Sequence, residues 1–309
     1  MKFNNTTHVL VTGGTGFIGR LLIQELNSLG ISTTTLTRNK KKSNSDGFAY
    51  WNPINHEIDE AKLLSITDVI HLAGKNVITT HWNAKGKEEI LNSRIHTANF
   101  LHQVFERNKL FIRSFISASA TGYYSHNKDE NYIYTEKSSS DLNKNYFLSE
   151  VCRKWELAAN QFDNIAERVI KVRIGVVFGV NQSAYQKIIP PKWLPFAPIL
   201  GSGNQYIPWV SQTDVVSIFI WCLNNNNIRG IVNATAPNPI RFKHLVKLEK
   251  IKRKGVLFNL FISSSLIRFI LGEKSSILLN SAKVIPKILL KNKFDFKYKT
   301  ARSFINSVQ

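Results

Sequence analysis

A chain of 309 residues that is 43% hydrophobic and 11% aromatic can bury a large core, which excludes a disordered protein. Only two cysteines occur, Cys152 and Cys222, so there is neither a disulfide framework nor metal-ligand spacing, and a reducing compartment is expected. The formal net charge of +20 argues for a solvated basic surface, not a specific nucleic-acid reader, because the cations are scattered among apolar residues without a recognition motif.

The first predicted element is a strand over 8–12, close enough to Met1 to leave no room for a signal peptide, so a cytoplasmic location is expected. It runs into TGGTGFIG at 12–19 and then an amphipathic helix over 17–29, through Leu21, Leu22, Leu26 and Leu29, that stops at Gly30. Gly14, Gly16 and Gly19 satisfy G-x-G-x-x-G, and Gly13, Gly16 and Gly19 satisfy G-x-x-G-x-x-G. Glycines at these spacings allow a tight turn, a close approach of backbone to pyrophosphate, and close packing of helix on strand. The helix N-terminus adds N–H donors and a favourable dipole. Gly13, Gly14, Thr15, Gly16, Phe17, Ile18 and Gly19 are therefore candidate dinucleotide-binding residues.

A second strand over 32–37 ends at Thr37–Arg38, about where an NAD enzyme places a carboxylate for the ribose hydroxyls. A guanidinium there suits a 2′-phosphate, and three lysines follow it. Thr37 and Arg38 therefore predict NADP, as NADPH, over NAD. Further strands are predicted at 47–51, 68–72, 114–118 and 168–177, with helices at 85–107 and 148–161. The polar stretch 125–145 reads as a loop. This alternation predicts an α/β protein with a doubly wound parallel Rossmann sheet.

After Gly179 the chain turns to proline-rich aromatic loops. A helix capped by Asp214 and a strand at Ile231–Ala234 follow. Gln205 and Trp209, in a glycine-bounded loop, read either as pocket wall or as core. The stretch 256–271 is interrupted by Asn259, three serines and Arg268, so it reads as a strand and a core helix, with no membrane partner expected. The expected division is a dinucleotide-binding domain over 1–236, including substrate-lobe loops from about 180, and a smaller C-terminal α/β substrate lobe over 237–309.

TGGTGFIG, HLAG at 71–74, SASATGYY at 117–124 and VRIGVVFG at 172–179 together resemble the extended short-chain dehydrogenase/reductase superfamily. YWNP at 50–53, SRIHT at 93–97, FLSEVCRKWE at 147–156, GSGNQYIPW at 201–209, NATAPNP at 233–239 and LGEKS at 271–275 are similar to one branch of it, the predicted nucleoside-diphosphate-sugar epimerases. The resemblance implies that Leu72, Ala73 and Gly74 lie along the cofactor. It implies that Ser119 hydrogen-bonds the reacting oxygen and that Tyr146 is the proton carrier. The lysine that should follow four residues after the tyrosine is Glu150 here, and a carboxylate raises a phenol pKa instead of lowering it. Two readings stay open: an NADP-dependent oxidoreductase or epimerase acting on an unidentified small molecule such as a nucleotide-sugar, or an NADPH-binding sensor without turnover.

Overall fold

Val9, Leu10 and Val11 have no solvent exposure. A strand apolar on both faces belongs in the middle of a parallel sheet covered on both sides. The computed structural model places it there, and describes residues 7–124, 131–139, 146–180, 185–186, 196–253 and 258–308. In chain order the first elements are β1 (His8–Thr12), α1 (Phe17–Ser28), β2 (Ser32–Thr37), α2 (Lys40–Ser43), β3 (Phe48–Asn52), β4 (Glu57–Ile58), β5 (Asp68–His71), α3 (Ala84–Arg107) and β6 (Ile112–Ala120). Next come β7 (Ile133–Tyr134), α4 (Phe147–Asn160), β8 (Ala166–Ile174), β9 (Val176–Phe178), β10 (Phe196–Leu200), β11 (Tyr206–Ile207), β12 (Trp209–Ser211) and α5 (Gln212–Asn224). The last are β13 (Gly230–Ala234), β14 (Ile240–Arg241), α6 (Phe242–Arg253), β15 (Phe258–Ile262), α7 (Ser264–Leu271), α8 (Ser276–Leu279), β16 (Lys283–Val284), α9 (Lys287–Lys291) and α10 (Ala301–Ser307).

Two units share the chain in alternating stretches, one within 1–120, 150–173 and 216–231, the other within 121–149, 174–215 and 232–309. The main sheet has eight strands in the order β13-β8-β6-β5-β1-β2-β3-β4. β1 pairs in parallel with β2 on one side and β5 on the other, with Thr12 opposite His71. The chain reverses direction between these two neighbours, and ligands of doubly wound sheets bind at the carboxyl ends of such strands. α1 closes with Gly30 in the left-handed region (φ +73) while Gly30 and Ile31 donate their N–H groups to Asn27 and Leu26 carbonyls. The core of this unit gathers Leu10, Leu36, Trp51, Val69, Phe105, Phe115 and Phe162.

In the second unit the strands pair two by two: β7 with β16, β9 with β12, and β10 with β15 in parallel, and β11 with β14 antiparallel. Phe178, Tyr185, Trp209, Phe242 and Phe304 form its core, so Trp209 is core and not pocket wall. Its indole N–H donates to the Asn238 carbonyl.

Three expectations need correction. The strand over 168–177 breaks at Gly175, whose N–H donates to the Ala234 carbonyl and where a Cβ would stand 2.1 Å from the Pro208 carbonyl oxygen. Asp214 lies inside α5 instead of capping it. The Asp214 N–H donates to Ser211 Oγ, while its carboxylate accepts from Ser211 Oγ and from the N–H groups of Lys297 and Tyr298. The helix of 256–271 is not a core helix: in α7 only Ile267 is buried, and Phe269 is 88% exposed. Among the described residues no helix is long and apolar enough to cross a membrane.

Candidate functional site

The glycine turn joins β1 to α1 at the switch point. Gly13 has φ +68 and lies against the Leu72 backbone, so a Cβ there would meet the Leu72 carbonyl at 2.8 Å. Gly19 sits in the first turn of α1, where a Cβ would come within 2.4 Å of the Gly13 carbonyl oxygen. Gly16, the N-cap, differs: it is exposed, and a Cβ would meet only the Gly13 carbonyl oxygen, at 3.1 Å. No side chain caps α1 and no acidic residue stands in its first turn. A helix N-terminus of this kind is complementary to an anion. Gly14 is buried against Ile23 and Thr35, whereas Thr15 is exposed and Phe17 and Ile18 are half-buried.

Thr12 welds this turn to the end of β5. Its hydroxyl accepts from the N–H groups of Leu72 and Ala73, both at 3.1 Å, and so keeps its proton for His71 Nδ1 at 2.9 Å. His71 Nε2 then carries the ring proton and donates to Thr97 Oγ1, whose own proton goes to the Ser93 carbonyl. Complete burial pushes the imidazole pKa down to about 4. His71 is therefore a neutral structural strut.

A pH dependence follows. Unfolded, His71 titrates near 6.5, so below that value the unfolded chain takes up a proton that the folded chain refuses. The stability from neutral His71 is complete above pH 6.5 and is lost as pH falls towards about 4, a total of about 3 kcal/mol. Denaturant unfolding across this range should show the loss, and His71→Gln should flatten the profile. Parallel profiles for the two proteins would refute the assignment.

Leu72 and Ala73 are half-buried and Gly74 is exposed. The Arg94 guanidinium packs beneath Gly74, where a Cβ would meet its Cζ at 3.1 Å. It donates to the Ile90 and Lys75 carbonyls and rests 4.8 Å from the Trp155 ring. Burial pushes its pKa down to about 10. At the end of β2, Thr37 is buried and its hydroxyl accepts from the Asn39 N–H, leaving Arg38 exposed beside Asn39, which caps α2.

Ser119 ends β6 with 2% exposure, and its hydroxyl donates to Glu156 Oε1 at 2.7 Å. Glu156, on α4, forms a two-pronged pair with Arg173 of β8, with both bonds at 2.8 Å and both side chains buried. Cys152 lies one turn before Glu156. Burial first, and then the Glu156 carboxylate, push its thiol up to about 12, so it stays protonated. The other two residues of the expected triad point elsewhere. Tyr146 donates to Asn280 Oδ1, and Glu150 pairs with Lys154 on the exposed side of α4. Tyr124 donates to Asn233 Oδ1 and the Thr135 carbonyl. Glu156 escaped the sequence reading, although a signal existed: Arg173 sits in the apolar run VIKVRIGVV, and a charge in a buried strand needs a partner.

Comparison with known proteins adds the following. The pattern of the NAD dependent epimerase/dehydratase family matches residues 9–234, and a domain of unknown function (DUF1731) matches residues 263–308. The chloroplastic homologue of epimerase family protein SDR39U1 from Arabidopsis thaliana is 33% identical, over 97% of this chain and 86% of its own. The crystal structure of human epimerase family protein SDR39U1 (isoform 2) with NADPH superposes with a TM-score of 0.83 at 25% identity, covering 98% of this chain and 99% of that one. A nucleoside-diphosphate sugar epimerase from Corynebacterium glutamicum superposes with a TM-score of 0.74 at 25% identity, over 98% of this chain and 58% of that chain.

Proposed function

Because the chain belongs to the NAD dependent epimerase/dehydratase family, we propose that it binds NADPH behind β1 and serves chemistry at a carbonyl or alcohol carbon. The substrate is a small molecule, and a nucleotide-sugar is the class carried by one neighbour's name. The observation that carries this reading is the uncapped N-terminus of α1, with Gly16 clear in front of it and Arg38 in place of an acidic residue after β2. NADPH in the human relative supports the choice of cofactor.

In this reading the backbone from Gly13 to Gly19 holds the pyrophosphate, with Thr15 at the exposed lip of the turn. Thr37 and Arg38 take the adenosine 2′-phosphate, and the backbone of Leu72, Ala73 and Gly74 lies along the dinucleotide. A bound nicotinamide supplies or accepts a hydride. Ser119 meets the reacting oxygen. Its own proton is held by Glu156, so it offers lone pairs to a substrate hydroxyl. Tyr146 is the second candidate for moving a proton. One observation favours the alternative of a sensor without turnover: Glu150 is paired outward with Lys154, and the Tyr146 hydroxyl is engaged by Asn280.

Titration of both dinucleotides into the protein should show tighter binding of NADPH than of NADH. Arg38→Asp should weaken NADPH about tenfold to a hundredfold and leave NADH nearly unchanged, since a carboxylate repels the 2′-phosphate. Equal affinities for the two in the unaltered protein would refute the NADP assignment. A panel of carbonyl compounds then separates enzyme from sensor by whether any of them oxidises NADPH above background.

A further inference from the structure

Helices in folded chains turn their apolar stripe towards the core. In α7 the stripe is Leu266, Phe269 and Ile270, spaced i, i+3 and i+4, and these side chains are 49%, 88% and 67% exposed. Ile267 alone anchors the helix by burial. The strand that precedes it in sequence is exposed too, at Phe258, Leu260 and Phe261 of β15. Scattered exposed hydrophobic residues are ordinary, but six large ones between 258 and 270 are a concentration that marks a surface that binds something.

The charges around it indicate what binds. Between residues 241 and 272 the sequence carries eight lysines and arginines against one carboxylate, Glu249. That carboxylate is buried, accepting from the Tyr185 hydroxyl, so it does not offset the cations at the surface. Lys250 reaches Asn259 Oδ1 at 3.1 Å, which puts an ammonium beside β15, and Arg268 is exposed on α7 itself. Apolar rings flanked by cations, with Glu273 the one carboxylate between 250 and 282, complement an anionic, amphiphilic surface. A second copy of the chain would bring the same cations to the contact and be repelled.

We propose that β15 and α7 form a docking surface for an anionic lipid bilayer. Phe269, Ile270 and the apolar side chains of one face of β15 enter the headgroup–acyl boundary while Lys250 and Arg268 meet lipid phosphates. α7 has eight residues, so it lies in the plane of the interface.

The test is sedimentation of the full chain with vesicles of phosphatidylcholine alone, or of phosphatidylcholine and phosphatidylglycerol in equal parts, at low and physiological salt. The chain should pellet with the anionic vesicles only, and less at the higher salt. Phe269→Ser with Ile270→Ser should weaken pelleting about tenfold or more. Lys250→Glu with Arg268→Glu should do the same; Arg268, Phe269 and Ile270 are exposed and Lys250 half-buried, and an unchanged melting temperature checks that each variant is folded. Failure to pellet with either vesicle overturns the proposal, as does equal pelleting with both. A dimer in solution that the serine variant splits, with vesicles ignored, assigns the surface to a second copy. Binding to polyglutamate that the serine variant weakens, again with vesicles ignored, assigns it to an acidic protein. Each of these last two results also overturns the proposal.

Discussion

Glu156→Ala should lower the stability of the protein by about 3–5 kcal/mol, the range for breaking a buried ion pair from one side. The loss exceeds the value of the pair itself, because the variant strands the Arg173 guanidinium in an interior where it is 3% exposed. It also removes the acceptor of the Ser119 hydroxyl. Replacing both partners, Glu156→Leu with Arg173→Leu, should recover most of the loss, since no uncompensated charge is left. Denaturant melts of the single and double variants measure this directly. A single variant within about 1 kcal/mol of the unaltered protein would mean that the carboxylate is not the counterion drawn here.

Gly16→Val should abolish dinucleotide binding, weakening it about a hundredfold or more, while leaving the fold in place. Gly16 has φ −76 and ψ 179, an extended conformation open to any residue, and its Cβ direction is nearly clear. A branched side chain there occupies the approach to the α1 N-terminus, and the Gly13 carbonyl, 3.1 Å from the Cβ, has to give by only a few tenths of an ångström. Gly19→Val is the contrasting variant. Its Cβ would be driven into the Gly13 carbonyl at 2.4 Å, so the turn itself should fail and the melting temperature should fall. Unfolding curves and NADPH titrations of the two variants separate a ligand position from a packing position. Unchanged NADPH affinity in Gly16→Val would place the dinucleotide elsewhere.

Elements carrying a strong periodicity were legible in the sequence. The strands at 8–12 and 32–37 form with those limits, and the long helix over 85–107 begins one residue earlier, at Ala84. An apolar run suffices for the first, a β-branched run (STTTLT) after Gly30 for the second, and length for the helix. β7 and β16 were not legible, because two-residue strands have no period and Ile133 finds its partner at Lys283. The break at Gly175 depends on the distant Pro208 carbonyl, which no local pattern announces. For α7 the apolar stripe was visible, but periodicity identifies a stripe without saying what covers it. The site divides the same way. The glycine turn is a local feature and could be read as one. The bond between Ser119 and Glu156 joins residues 37 apart, and the family resemblance pointed to Tyr146 and position 150, six residues before the glutamate that makes it.

The Glu136 carboxylate accepts from the N–H groups of Lys287 and Ile288, at the start of α9, and from that of Asn233. Lys287 follows Glu136 by 151 positions, and β7 waits equally long for β16. At ribosomal speeds of about 5–20 residues per second, that separation is a delay of roughly 8–30 s. Throughout it, Ile133, Tyr134 and Glu136 have been made but β16 and the start of α9 have not. The segment that holds them therefore emerges long before it can be closed, and for that time it stays open to proteases and chaperones.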